Sequence, residues 1–323
     1  MPNLFYLSHS TDGWQNLATD EWLLDNLAPD EMILYCYINR NAVIIGKNQN
    51  PWKECNLGAM EADEVQLVRR ITGGGAVYHD MGNLNFSFIA GEDLYDVEKQ
   101  MNTILQTIRM LGIPCEFSGR NDLLAEGRKF SGNAFCKRGK ICQHHGTLLI
   151  NSDMSRLQHY LQVDPRKLQA KGVESVRSRV CNLTEFRQDL TIPMVVGTLK
   201  QAFRKTYGDY TEWVPTTADE AAMTPYREKH SSWEWRVGQT PAFDLELDRR
   251  FDWGGVQILL TSREGSVEKA EVFSDAMDPE LPALVQGLLT GCRVDSQQMA
   301  QALSRCENQQ IQDIAAWIRQ ERL

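Results

Sequence analysis

Apolar residues recur along this chain at two spacings, and each spacing marks a kind of element. Val97, Met101, Ile104, Leu105, Ile108 and Leu111 follow the three-to-four rhythm of a helix with one buried stripe, and Gly112 and Pro114 end it. Asp12 is placed to cap an earlier helix, with Gln15 completing a box-like pattern and Trp14, Leu17, Ala18 and Leu24 forming its apolar side. Pro51 suits the start of a further helix. Residues 194–207 also read as helical, and residues 216–232 as a more polar helix. Strands are expected over residues 32–38, 43–46, 65–70 and 84–89. Residues 122–150 read as an antiparallel meander with turns at Glu126-Gly127 and Arg138-Gly139. The stretch 235–250 carries Gly238, Pro241 and several charges, and the domain boundary is placed there. Beyond it come strands near 256–260 and 267–273, then helices after Pro279 and Asp295. The pattern predicts an α+β protein: a large domain of mixed and antiparallel sheets with helices over residues 1–245, and a small α+β domain over residues 246–323.

Length agrees with two domains, since 323 residues exceed what one core usually organises. The net charge of −9, from 34 basic and 43 acidic side chains, argues against a nucleic-acid binder. Basic residues cluster only locally: Arg128, Lys129, Lys137, Arg138 and Lys140 in one group, Arg166, Lys167, Lys171, Arg177 and Arg179 in another. Such groups suit a phosphate ligand or an acidic partner patch, but taken alone they read as a solvated charged face. Apolar runs such as residues 42–45 and 258–260 are far too short for a membrane span, and the start has no basic lead with an apolar core. A soluble, cytoplasmic protein with no membrane partner is expected. Eight cysteines are scattered without a Cys-x-x-Cys pair, which fits free thiols in a reducing compartment better than a zinc site.

Four segments carry chemistry. The first is Arg69-Arg70-Ile71-Thr72-Gly73-Gly74-Gly75-Ala76-Val77-Tyr78-His79-Asp80. Consecutive glycines permit positive φ and close backbone approach, so their N–H groups can form an anion nest beside the guanidinium of Arg70. A side chain at Gly74 or Gly75 should block that approach. A plain turn between strands is the competing reading, and the segment is neither a Walker loop nor a dinucleotide fingerprint. The second joins Ser118-Gly119-Arg120-Asn121-Asp122-Leu123 to Gly127-Arg128-Lys129-Phe130-Ser131-Gly132. Lys129 can face inward, where a phosphate or carboxylate would partner it, or lie on a solvated strand. The third is Gln143-His144-His145-Gly146-Thr147-Leu148-Leu149-Ile150. Adjacent strand histidines point to opposite faces, so they are poor joint ligands for one metal; His145 is the one expected toward a pocket, with a core histidine bonded to backbone as the equal alternative. The fourth, from Ala170 to Val180, is basic and glycine-containing, either a closing loop or a solvated linker.

In this order the segments resemble the signature of the lipoate–protein ligase A family, with Ser175-Val176-Arg177-Ser178-Arg179-Val180 as its last part. Asn50-Pro51-Trp52-Lys53-Glu54-Cys55 and Ser232-Trp233-Glu234-Trp235 are similar to the bacterial two-domain form, and the resemblance covers nearly the whole chain. It implies a catalytic domain related to biotin ligases and class II synthetases, with a smaller accessory domain. It implies that ATP, with Mg²⁺, converts lipoate (or octanoate) to an acyl-adenylate, and that the acyl group passes to a lysine of a lipoyl domain. Such domains belong to oxoacid dehydrogenase E2 subunits and the glycine-cleavage H protein. By motif position Lys129 holds the lipoate carboxylate and the adenylate phosphate, while Arg70, Gly75, Ala76, Val77 and Tyr78 hold ATP and adenylate. Gly73, Gly74, His79, Asn83, Asp122 and His145 are further candidates, and metal ligands are left open. An apolar tunnel for the lipoyl tail is expected along residues 84–88 and Val77. Cys181 stands where the family usually has threonine. The rival is an octanoyl transferase on the same fold, working without ATP through a cysteine, for which Cys181 and Cys142 are the candidates. A biotin ligase and a non-catalytic lipoate-binding protein fit the signature less well.

Overall fold

The structure, a computed structural model, describes residues 3–118, 122–161, 180–237, 245–263 and 265–321. The chain divides into two compact units. The first comprises Met1–Ile45, Trp52–Arg70 and Ala76–Arg236; the second comprises Gly46–Pro51, Ile71–Gly75 and Val237–Leu323.

Among the described residues the first unit is built on an eight-stranded sheet. Its strands, in spatial order, are β11 (Tyr210–Glu212), β1 (Asn3–Leu7), β2 (Met32–Tyr37), β6 (Asn83–Gly91), β10 (Ile141–Leu149), β9 (Arg128–Arg138), β8 (Asp122–Ala125) and β7 (Glu116–Phe117). β1 runs parallel to β2 and β11, and the remaining pairs are antiparallel, so the sheet is mixed. A second sheet of β4 (Gln66–Arg69), β3 (Asn41–Ile45) and β5 (Val77–Asp80) accompanies it.

Side chains alternate across the large sheet, and its two faces differ in chemistry. Leu84, Phe86 and Phe88 of β6 are fully buried in an apolar core with α4 (Val97–Met110) and α6 (Ile192–Tyr207), which contribute Ile104, Ile108, Leu199 and Phe203. Asn83, Asn85 and Ser87 alternate with them and so point to the other face, with Tyr35 and Tyr37 as cross-strand neighbours on β2. This polar face meets α1 (Gly13–Asn26), where Asp20 reaches His145 of β10. Asp12 caps α1 by accepting from the Trp14 amide, but the box with Gln15 does not form; Gln15 bonds Thr19 instead. The helix buries Asn16, Thr19, Asp20 and Glu21 together with Leu17, Ala18, Leu23 and Leu24, so it lacks the clean apolar stripe expected of it.

Further described helices are α2 (Pro51–Glu54), α3 (Leu57–Ala62), α5 (Met154–Tyr160), α7 (Thr217–Ser231) and α8 (Trp233–Arg236). Of these, α7 is fastened to α1 through Glu21, which accepts from Lys229 and His230. The second unit folds β12 (Leu245–Phe251), β13 (Gly254–Arg263) and β14 (Ser266–Ser274) into an antiparallel sheet. Its own core, centred on Ile258, Leu260, Val285, Leu303 and Ile314, is closed by α9 (Leu281–Leu289), α10 (Ser296–Leu303) and α11 (Gln309–Ile318). All but the last residue of β12 lies in the stretch read from sequence as an inter-domain boundary; its alternation of Leu245, Glu246, Leu247 and Asp248 was obscured by its charge.

Candidate active site

Lys129 owes its position to a β-bulge. Leu123 pairs with Ser131 and Leu124 with Lys129, so Phe130 is the additional residue on β9. A bulge breaks alternation and re-aims neighbouring side chains. Phe130 drops into the core, and the Lys129 ammonium meets Asp122 Oδ1 at 2.7 Å. Both side chains are about one-third exposed, at 36% and 32%. Lys129 is therefore an accessible lysine with one ion-pair partner among the described residues, neither the deeply buried group nor the wholly solvated one weighed from sequence. Its carbonyl accepts from the Cys181 amide at 2.9 Å. Gly132 gives it room: a Cβ there would sit 3.0 Å from the ammonium nitrogen.

The polar face of the sheet carries a second group. His145 Nδ1 is 3.2 Å from Asp20 Oδ2, and both are buried. His144 points the other way, as adjacency requires, and stacks on Phe135 with ring centroids 4.8 Å apart. Burial pulls the His144 pKa down to about 3, so it is a neutral core residue. Arg70 follows β4 and is also buried; it donates to the Ile44 carbonyl at 3.3 Å. Burial lowers its pKa to about 10, against a partial rise from Tyr37. His79 on β5 faces this group, with its Nδ1 3.1 Å from Asn39 Nδ2. Asn83 donates to Asn85 at 2.9 Å, and Asn85 to the Tyr37 carbonyl at 3.2 Å.

Other candidates lie elsewhere. The Tyr78 phenol alternates away from His79 and is held by Asn41 and Arg156, so only its backbone is left to meet a ligand. Ala76 and Val77 are part-buried beside it. Gly73, Gly74 and Gly75 cluster with the second unit. Gly74 has φ 94° and donates to the Ala276 carbonyl at 3.0 Å. At Gly73 a Cβ would meet that same oxygen at 2.5 Å, whereas at Gly75 nothing lies within 4 Å. The backbone strain expected at Gly75 is thus confined to Gly74. On the strand expected to line the tail's tunnel, Leu84, Phe86 and Phe88 fill the apolar core, and Asn85 and Ser87 alternate with them toward the face that carries Tyr35 and Tyr37.

Cys181 and Cys142 are buried thiols whose pKa values burial raises, that of Cys181 to about 11. Neither is poised as a thiolate nucleophile. At the surface Lys137 pairs with Glu92, and Arg138 with Asp25 and Glu21. Gly119, Arg120, Asn121 and the segment 162–179, which carries the second basic group and most of the fourth motif, lie outside the described residues. Among the described residues no group of three His, Cys, Asp or Glu is arranged to hold a metal. No described helix is long and apolar enough to cross a membrane. Asp20, Asn39 and Tyr37 were not anticipated; polar residues at buried turns of α1 were the available signal for the first.

Two family models match the chain: the lipoyl protein ligase A/B catalytic domain over residues 12–204, and the bacterial lipoate protein ligase C-terminus over residues 240–318. A lipoate-protein ligase A of Psychrobacter cryohalolentis is 38% identical over 323 residues, 95% of this chain and 95% of its own. P. falciparum LipL1, solved in complex with lipoate, superposes with a TM-score of 0.87 at 28% identity, covering 99% of this chain and 100% of its own. A bi-partite lipoate protein ligase of Thermoplasma acidophilum, solved in work on an archaeal lipoylation system with its E2 lipoyl domain, gives a TM-score of 0.67 at 30% identity, covering 76% of this chain and 100% of its own. A lipoate-protein ligase A bound with ATP gives 0.65 at 30%, covering 74% and 99%. On this similarity along its length, the chain belongs to the lipoate–protein ligase A family.

Proposed function

We propose that the chain activates lipoate with ATP and transfers the lipoyl group to a lysine of a lipoyl domain, on an E2 subunit or the glycine-cleavage H protein. A lipoate carboxylate oxygen attacks the α-phosphorus of ATP, the bond to the β-phosphate breaks, and pyrophosphate leaves. The acceptor amine then attacks the acyl carbon of lipoyl-adenylate, AMP leaves and an amide forms. Bringing two anions together is the electrostatic obstacle in the first step, and a fixed ammonium reduces it. Lys129 is the residue assigned that task. The observation that carries the reading is its geometry: an accessible ammonium, fixed by a bulge, with one carboxylate partner that a substrate oxygen can displace.

Arg70 and the backbone from Gly75 to Tyr78 are assigned to the ATP and adenylate phosphates by their place in the motif. His79, Asn83 and His145 belong to the polar face of the first unit, where the acyl group is proposed to lie beside Tyr37. Mg²⁺ is expected to arrive with the nucleotide, as it usually keeps its waters and takes one or two carboxylates besides phosphate oxygens. Asp122 is the described carboxylate beside Lys129 that fits such a role. Support comes from relatives solved with lipoate and with ATP. The cysteine-based transferase loses ground because both candidate thiols are buried and protonated. Intact-mass analysis of an apo lipoyl domain incubated with the chain, lipoate and Mg²⁺ tests the reading. One lipoyl group should appear on one lysine only when ATP is present. Modification without ATP, with octanoyl carrier protein as donor, would reinstate the transferase.

A further inference from the structure

The orientation of His79 follows from a chain of amides within the first unit. Asn16 on α1 directs its Nδ2 at two backbone carbonyls, Ser10 at 3.1 Å and Ile38 at 3.0 Å. An oxygen in that place would face two acceptors, so the Asn16 amide has one tenable orientation. Its Nδ2 also lies 2.9 Å from Asn39 Oδ1, which shares one of the two amide protons with a carbonyl; an Asn39 nitrogen there would meet only a donor, so the Asn39 oxygen faces Asn16 and its amide nitrogen faces His79 Nδ1. An N–H donor opposite Nδ1 requires an unprotonated Nδ1, so the proton resides on Nε2. That nitrogen is buried and has no hydrogen-bond partner among the described residues. Asn16 and Asn39 are fully buried and His79 nearly so, which shields the chain of bonds from exchange with solvent. Arg70 is near enough for its charge to act on the ring; burial, Arg70 and His145 together bring the His79 pKa down to about 3.

A fixed, neutral donor with no partner among the described residues, within the electrostatic reach of a buried guanidinium, is suited to receive an anionic oxygen. Leaving such a donor unpaired carries a cost that an arriving acceptor removes. We propose that Asn16 and Asn39 are positioning residues that lock His79 as its Nε2–H tautomer, and that this N–H donates to an anionic substrate oxygen beside Arg70. The inference rests on the function proposed above. The oxygen is that of a carboxylate or a phosphate, and the two sources can be separated by experiment.

The test is ¹⁵N–¹H correlation of the imidazole nitrogens in the full-length protein, with His79 assigned by a His79→Gln variant. Between about pH 5.5 and 8, where an ordinary histidine titrates, His79 should keep an unprotonated Nδ1 and a protonated Nε2. Lipoate alone shifts the Nε2 resonance if the oxygen is the carboxylate, and ATP alone shifts it if the oxygen is a phosphate. The Asn39→Asp variant retains an oxygen for Asn16 but replaces the donor facing Nδ1 with an acceptor. At about pH 8 it should bind the responding ligand roughly tenfold more weakly, and at about pH 5.5, with the ring doubly protonated, recover most of that loss. The wild-type protein should show no such pH dependence. A proton on Nδ1, or titration of His79 in this range, overturns the inference even if the variant fails to fold. A loss in the variant that is equal at both pH values also overturns it, because that is what a purely structural amide would cause. If the wild-type protein forms lipoyl-adenylate while neither ligand moves Nε2, the inference falls and the proposed function stands. If it forms no adenylate, both fall.

Discussion

Lys129 and Asp122 face each other across two strands whose register slips by one residue. From sequence the lysine was recognisable by its motif, but its environment was not, because nothing in Arg128-Lys129-Phe130 announces a bulge. Alternation alone would send Lys129 and Ser131 to one face, and the extra residue breaks that rule. The adjacent histidines were legible for the opposite reason: β10 is regular, so neighbours diverge, and His144 and His145 do. Cys181 stood out in sequence as an unusual thiol near the site, and only packing decides its standing. It is buried, donates to the Arg128 carbonyl at 3.4 Å, and has its pKa raised to about 11. Cys181→Ser should therefore keep lipoylation within about threefold of the parent rate, with a stability loss of about 1 kcal/mol for a hydroxyl in a thiol site. Steady-state lipoyl transfer checks this; a fall of a hundredfold or more in the folded variant would return Cys181 to the chemistry.

At the scale of elements, α1 and the glycine loop depart furthest from their sequence reading. α1 lacks a clean stripe because it serves a polar interface: Asp20 faces His145, and Glu21 receives Lys229, His230 and Arg138. Burial is the largest influence on Glu21 and would raise its pKa, but the bonds from His230 and Lys229 outweigh it and bring the value from 4.5 to about 2. A carboxylate depressed in the folded state stabilises above its unfolded pKa and ceases to as pH falls through its folded pKa. Glu21→Gln should thus cost on the order of 3 kcal/mol near neutrality, by removing the buried carboxylate charge on which Lys229 and Arg138 converge. Its deficit in thermal unfolding should hold constant above pH 4.5 and shrink from there toward pH 2, the two values between which Glu21 titrates. A deficit that does not change with pH would mean that the carboxylate charge is not the source. In the glycine loop the three positions were indistinguishable by sequence, yet their surroundings differ. Gly74→Val meets a positive φ and should strain the loop by about 1–3 kcal/mol. Gly75→Val has open space and should leave stability unchanged, so lost adenylate formation there would report a ligand contact alone. A lowered melting temperature for Gly75→Val would contradict that separation.

For the whole molecule, both layers of chemistry sit on one side of what sequence could reach. The long periodic helices and the meander were legible, whereas β1, β5, β11 and β12 were not, being short, inside a motif, or rich in charge. Each unit has its own apolar core, and the core of the first contains no residue beyond Arg236. A chain ending at Arg236 should therefore unfold cooperatively as a folded catalytic unit, as circular dichroism against temperature would show. A truncated chain without a transition would mean that the first unit depends on the second for its fold. The central claim is that this unit forms an acyl-adenylate with Lys129 as the group that offsets the meeting of two anions. Lipoate-dependent exchange of pyrophosphate into ATP measures that step alone, before any acceptor is needed. The parent protein should exchange only when lipoate is present, and a folded Lys129→Ala variant should exchange about a hundredfold more slowly, a loss of about 3 kcal/mol. Exchange that ignores lipoate, or a folded Lys129→Ala variant exchanging at the parent rate, would contradict it.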